Sequence, residues 1–600
     1  MESPEKKLES CISRLEQMLA GEMHPSSCCW RGKLSSSALS TSVAMFALSK
    51  VDPVRYDGLV RKAARWLLEN VNDDGGWGDT PESPSNISTT LLAWSALSAV
   101  EREQPYHKLI ENAGNYIKKT TGTLEPADIS STIIGHYGKD RTFSVPILTM
   151  CALAGRLGRD GSEWDHVIQL PFEISVLPRS FFSLIGLPVV SYALPALIAM
   201  GMLRHRKARR SNPFMKCLRN ISSARALKVL KSTLPSSGGF LEATPLTGFV
   251  TMSLVAAGCR DESLIGPCSG FLERSFRDDG SCPIDTDLAT WLTSLSVKAL
   301  GAESLGTERS ETISGWILSQ QYKAVHPFTG AAPGGWAWTE LPGGVPDADD
   351  TSAALIALKL VRPSCGRRAI SDGIQWLLDL QNKDGGTPTF CRGWGRLPFD
   401  RSCPEITAHM LEAFSRWRNE VEPALGKRMD SAAERGLRYL RTSQHDDGSW
   451  TPLWFGNQMS AKKDNPTYGT SRVLIGLSAL KRTDCASDDM RLQMISRAAD
   501  WLVKSQNSDG GWGGGKGLPT SIEETALAVN ALSVVQLTNP EIEAARTKGL
   551  AKLIDLTDGT EIPPASPIGL YFSMLWYSER LYPLIFTLSA LKVAKGTDNV

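Results

Sequence analysis

The polar and apolar positions of the chain fall into a pattern that repeats. ARWLLENVNDDGGWG (64–78), GIQWLLDLQNKDGGT (373–387), GLRYLRTSQHDDGSW (436–450) and AADWLVKSQNSDGGWG (498–513) each put an aromatic and leucines on one face of a helix. An Asp-Gly-Gly or Asp-Gly-Ser turn then stops the helix, because Gly accepts a left-handed backbone. The aromatic (Trp66, Trp376, Tyr439, Trp501) stands five residues before Gln381, Gln444 or Gln506, with Val71 at that place in the first copy. Six residues further on comes Trp77, Trp450 or Trp512, with Thr387 in the 373–387 copy. The Gln is expected to bind backbone groups freed at the turn, and the Trp to pack back over it. A second, almost wholly apolar helix follows each turn, such as STTLLAWSALSAV or TSIEETALAVNALSVV.

The last three aromatics are 63 and 62 residues apart, room for two helices and two turns per repeat. Helix pairs that cannot bury their own faces must stack. The expected fold is all-α, with the pairs closing into α/α barrels.

Composition narrows the function. Of 600 residues, 65 are Lys or Arg and 64 are Asp or Glu, so no net field favours nucleic acid. The 17 Trp exceed what a core needs. Twelve Cys lie scattered without a CxxC pair, which suits buried free thiols in a reducing compartment. The amphipathic start MESPEKKLESCISRLEQMLA is not a signal peptide. FFSLIGLPVVSYALPALIAMGML (181–203), followed by RHRKARR, has the length of a membrane span, but Pro188 and Pro195 interrupt it. It reads as a pair of buried or surface-seated helices, whose basic tail would meet anionic lipid heads.

The candidate chemistry lies in GGWAWTELPGGVPDADDTSAAL, where Asp347, Asp349 and Asp350 open an apolar helix. Acids at a helix start favour its dipole, which is the structural reading of this cluster. Three carboxylates this close cannot all ionise cheaply, so one pKa must rise. A carboxylic acid kept protonated in an apolar hollow is a Brønsted acid for a very poor base, an isolated C=C bond. The resulting carbocation would survive only among aromatic faces, and Trp336 and Trp338 stand just upstream.

With these residues in view, the chain resembles the squalene–hopene cyclase family: its repeats look like QW motifs, and VPDADDTSAAL looks like the DxDD motif of class II terpene cyclases. The resemblance runs through nearly the whole chain. It implies two α/α barrels of helix-pair repeats with an apolar cavity between them. It implies Asp349 as proton donor, with Asp347 and Asp350 holding its proton and the local charge. It places His409 of CPEITAHMLEAF as the partner of the acid, with Glu405 beside it; a locally satisfied core histidine is the other reading. It assigns Trp338, Trp454, Trp291, Trp164 and Phe390 to the cavity wall, and Phe572, Trp576 and Tyr577 from PIGLYFSMLWYSERLYPLIF. Each of these aromatics would serve equally as core packing.

In hopene-forming members two N-terminal glutamates hold the water that ends the cascade. The matching stretches here, WRGKLSSSALSTSVAMFAL and SNISTTLLAWSAL, carry no acid, and Leu92 stands where one would be. The DCTAE-type motif of oxidosqualene cyclases is absent.

The leading expectation is a cyclase that protonates squalene or a similar uncharged polyprene and closes rings toward a hopene-like triterpene. No metal or organic cofactor is required. The alternatives are a class II cyclase of a prenyl diphosphate, gripped by RHRKARR, a prenyltransferase-like toroid without cyclase activity, whose zinc site of Asp, Cys and His has no matching spacing here, and a ligand-binding toroid with a dead site. Residues 1–24 are expected to form a helix on the C-terminal barrel, 25–285 the N-terminal barrel with a helix and turn over 217–239, and 286–600 the C-terminal barrel. The expected partners are an isoprenoid and a membrane lipid surface, with the protein seated monotopically on the cytoplasmic side. A homodimer is compatible with the sequence, and nucleic acid is not a partner.

Overall fold

A computed structural model describes residues 4–101, 103–138, 141–178, 181, 194–209, 212–327, 329–361, 366–391, 400–480, 486–559, 561–570 and 574–596. The fold is all-α with short strands. In the C-terminal half an inner ring forms from residues 289–300, Ala348–Val361, Pro404–Trp417, Pro466–Ser478, Ile522–Val534 and Tyr582–Lys595, and the last of these packs on the first. These helices are apolar nearly all round, as a helix buried on every side must be. Amphipathic helices cover them outside: Arg367–Leu380, Pro423–Ser443, Ala486–Ser505 and Pro540–Leu556. The long helix Ala289–Ser319 serves both layers, because Gly301 and Gly306, both at positive φ, break it into an inner and an outer part. The N-terminal helix Pro4–Gly21 packs on Tyr582–Lys595 and shares the C-terminal core through Leu15 and Leu19.

The second barrel closes in the same way. Its inner helices are Ala38–Val51, Ile87–Ala96, Ser144–Leu153, Leu194–Lys207 and Thr244–Ala256, the last packing back on the first. Leu194–Lys207 belongs to the apolar stretch that mimics a membrane span; residues 182–193 of that stretch lie outside the described residues. Among the described residues no helix is long and apolar enough to cross a membrane. The helix expected within 217–239 begins earlier, at Pro213, and ends at Ser232. Asn212 caps it by accepting N–H bonds from Phe214 and Met215.

The repeat motif acts as a set of backbone clamps. Gln381, Gln444 and Gln506 each donate through Nε2 to two carbonyls, one in their own turn (Gly385, Gly448, Gly510) and one on the next outer helix (Ala432, Met494, Ala545). Each Gln therefore fastens one repeat to the next. The indole N–H of Trp77, Trp450 and Trp512 returns to the carbonyl of Leu67, Leu440 and Leu502. A fifth copy escapes the sequence pattern. Gln321 donates to Gly334 and Ala369, and Trp336 to Ile317, but a nine-residue insertion widens the spacing from Gln321 to its Gly-Gly-Trp turn. The N-terminal helix carries a partial copy, in which Trp30 donates to Leu19.

A threonine completes these turns. The backbone N–H of Trp30, Trp77, Trp336, Thr387, Trp450 and Trp512 donates to Oγ1 of Thr293, Thr90, Thr351, Thr407, Thr470 and Thr525, at 2.9–3.0 Å in every case. Each of these threonines sits on an inner helix. The turn that stops an outer helix is thus tied to the helix lining the barrel, which places residues beside these turns at the barrel mouth.

Candidate active site

The acids open the inner helix Ala348–Val361 at such a mouth. Asp347 is still extended: its N–H donates to Trp336 and it bridges Trp336 on one side and Phe390 on the other. Its Oδ1 accepts the N–H of Asp350 at 2.8 Å, the bond of a helix cap. One of the three acids therefore does the structural work of starting the helix. Asp350 is buried, and its Oδ1 has no hydrogen-bond partner. Asp349 is the most open of the three, with 18% of its side chain exposed, and its Oδ1 lies 2.5 Å from Nδ1 of His409. That imidazole comes from the next inner helix, Pro404–Trp417, whose first-turn proline sets its start.

Cations from neighbouring helices surround this pair. Arg472, on Pro466–Ser478, brings a guanidinium nitrogen to 3.3 Å from the same Nδ1. Lys298 lies further along, paired with Glu412 at 2.6 Å, and Arg416 holds the same carboxylate at 2.9 Å. Burial pushes Asp349 up, but the His409 ring, its hydrogen bond, and the Arg472 and Lys298 charges hold it below the usual carboxylate range. Burial and Arg472 push His409 down as well. A proton in this pair is thus bound weakly by both partners. The rise expected from crowding falls elsewhere. Burial lifts Asp347 to about 7, and burial with the Asp347 charge lifts Asp350 well above the usual value. Glu405, beside the site, is lifted to about 7 by burial.

The acids look into a cavity of about 290 Å³ between the two barrels. Trp338, Phe390, Trp454 and Trp291 line its acidic end. Phe390 stands edge-on to Trp454, with ring centres 4.9 Å apart, and to Trp338 at 6.0 Å. Trp291 donates its indole N–H to Tyr582 at 3.0 Å and lies edge-on to His409. Tyr577 lines the wall beside Tyr582. Phe143, Met200 and Phe249 line it from the N-terminal barrel.

Two of the expected wall residues are elsewhere. Trp576 is buried behind the wall, because it alternates with Leu575 and Tyr577 in the strand Leu575–Tyr577, and successive strand residues face opposite ways. Trp164 lies in the core of the N-terminal barrel, on a short turn packed against the outer helix Pro126–Tyr137. Phe572 lies outside the described residues. Tyr582, Phe249, Phe143 and Phe455 line the cavity without having been singled out in the sequence. Arg472 and Lys298 carried a readable signal, since each is a lone charge inside an apolar helix segment, whereas Glu412 shares its helix with Glu405 and Arg416.

Known families and a solved structure resemble this chain in sequence and fold. The squalene-hopene cyclase C-terminal domain family matches residues 288–539, and the corresponding N-terminal domain family matches residues 12–152. The "Probable squalene–hopene cyclase" of Sinorhizobium fredii is 30% identical over 77% of this chain and 83% of its own length. Enfumafungin synthase of Hormonema carpetanum is 23% identical over 81% of this chain, which spans only 40% of that longer protein. Among solved structures, ent-copalyl diphosphate synthase from Streptomyces platensis superposes with a TM-score of 0.60, at 18% identity, over 98% of this chain and 100% of its own.

Proposed function

Because this chain belongs to the squalene–hopene cyclase family and is a class II terpene cyclase, we infer that it protonates a terminal alkene of squalene or a similar uncharged polyprene and drives its carbocationic closure to a polycyclic triterpene. The substrate folds in the cavity with one terminal double bond against Asp349. Proton transfer from Asp349 places a tertiary cation beside Trp454 and Phe390. His409 shares the next proton with Asp349 and returns it for the following turnover. Each ring closure moves the charge along the aromatic wall. The site excludes water and holds the chain folded, so the catalysis comes from orientation and preset electrostatics.

The observation that carries this reading is the charge pattern of the wall. Among the described lining residues are four carboxyls, Asp285, Asp347, Asp349 and Asp350, and no Lys or Arg. A diphosphate would be repelled there, whereas an uncharged hydrocarbon is not. Purified protein in detergent, given squalene or geranylgeranyl diphosphate in parallel, is expected to yield cyclised hydrocarbon or alcohol from squalene alone. Turnover of the diphosphate without turnover of squalene would overturn the substrate class.

An oily substrate reaches the cavity from a lipid phase, which suits a monotopic seat on a membrane surface. What supports a seat is the helix Pro213–Ser232. Phe214 and Ile221 are each 73% exposed on it, among Lys216, Arg225 and Lys228.

A further inference from the structure

We propose that Arg472 fixes which terminal group this site can protonate: its charge behind His409 equips Asp349 for a bare C=C bond, and without it the site would serve only an end as basic as an epoxide. This rests on the reading of the protein as a polyprene cyclase. Arg472 is a positioning residue, since it lies behind the cavity wall and touches His409.

The position calls for a reason. Arg472 is the sole charged residue of the inner helix Pro466–Ser478, and its neighbours Ser471, Val473 and Leu474 are fully buried. A cation taken out of water is costly unless a carboxylate pairs with it. The other cations near the pair, Lys298 and Arg416, share Glu412 at 2.6 and 2.9 Å. Arg472 has no ion pair among the described residues, and its guanidinium is aimed at Nδ1 of His409, 3.3 Å away.

That contact decides where the proton rests. A guanidinium donates and never accepts, so Arg472 can bond to Nδ1 only while that nitrogen keeps its lone pair. The same nitrogen lies 2.5 Å from Oδ1 of Asp349, a contact that needs a hydrogen between the two atoms. With Nδ1 bare, that hydrogen belongs to the carboxyl. Burial and the Arg472 charge both oppose an imidazolium in this place. The loaded state is therefore a carboxylic acid beside a neutral ring. The fixed positive charge behind it stabilises the carboxylate that proton transfer leaves. Without Arg472 the proton would settle on the ring, and an imidazolium–carboxylate pair is a weaker acid toward carbon.

Acid strength matters unequally to the two ends. On an alkene the O–H bond of Asp349 breaks, the π pair takes the proton, and a C–H bond and a tertiary cation form. On an epoxide the proton goes to a lone pair of the ring oxygen, a C–O bond breaks, and a hydroxyl and a tertiary cation form. Asp349 is left as a carboxylate in both. An ether oxygen is a much stronger base than a C=C bond, so a weakened acid loses the alkene first. The charged and titratable groups around the pair are Asp347 and Asp350 beside Asp349, Glu405, Glu412 and Arg416 on the helix of His409, Tyr468 with Arg472, and Lys298 on Ala289–Ser319. Removing a cation from this set lets the pair keep its proton to higher pH.

The test gives the full-length protein squalene, or squalene carrying one terminal epoxide, and compares native with Arg472→Met, Arg472→Gln and Arg472→Lys. Met and Gln both remove the charge, so a fold lost in one, seen by circular dichroism, leaves the other to be read. In the neutral variants squalene turnover is expected to fall about tenfold more than epoxide turnover, and the alkaline loss of activity to move to higher pH. Arg472→Lys keeps the charge and is expected to hold the native ratio of the two substrates to within about threefold. A native ratio in a neutral variant, equal loss of both substrates, or a Lys variant that behaves like Met overturns the proposal. Unfolding of both neutral variants does so too, since Arg472 would then be structural. Native protein that takes the epoxide and not squalene also overturns it. Native protein that turns over neither would instead strike the substrate reading.

Discussion

Asp349→Asn is expected to leave the protein folded and cyclisation lost by a factor of about 10³ or more, which corresponds to about 4 kcal/mol of barrier. The substitution is close to isosteric, and the helix cap belongs to Asp347, so the start of the helix stays intact. The acid proton is what disappears. An amide at the same place still meets His409, but it has no proton to give to a hydrocarbon. The magnitude follows from the setting. Asp349 is held below its usual range by the His409 ring and then by the Arg472 and Lys298 charges, and burial with Arg472 pushes His409 down, so both release a proton readily. Water in an apolar hollow is a far weaker acid than such a carboxyl. A variant with a circular-dichroism spectrum like native and no cyclised product by mass spectrometry would match this account. Cyclisation at the native rate would remove Asp349 from the role of donor.

Trp454→Ala is expected to reduce the rate about 30-fold and to yield partly cyclised or misrouted products. A desolvated aromatic face stabilises a cation by about 2 kcal/mol, and that energy converts to this factor. Trp454 is half-buried, lines the acidic end of the cavity, and stands edge-on to Phe390 with ring centres 4.9 Å apart. Its loss removes one face and loosens the second, so the early cation is exposed to quenching before the next ring closes. Trp454→Phe should keep most of the rate and the native products. Gas chromatography of both variants checks the pair of outcomes, and an unchanged profile in Trp454→Ala would count against a lining role.

Much of this fold can be read locally. The Gln-to-Trp spacing, the Gly turns and the apolar partner helix all lie within about twenty residues, so the repeat declares itself. The fifth copy does not, because the insertion between Gln321 and Trp336 breaks the spacing while the same hydrogen bonds still form. The acids were visible because three fall within four residues. That Asp349 is the one held low was not, since that depends on His409 and on Arg472, which is 63 residues from His409 and a full repeat away. Register set another limit. In a strand a shift of one residue exchanges faces, which is why Tyr577 meets the cavity and Trp576 does not. Asp285 sits in CPIDTD, a loop with no helical or strand periodicity, and only tertiary packing brings it to the wall.

The most direct test of proton transfer to carbon is turnover of squalene in deuterated water. Native protein is expected to place one non-exchangeable deuterium in each product, on the ring methylene formed from the protonated terminal alkene. Product formed without that label would contradict the account, because the hydrogen would then have come from somewhere other than an acid in exchange with solvent.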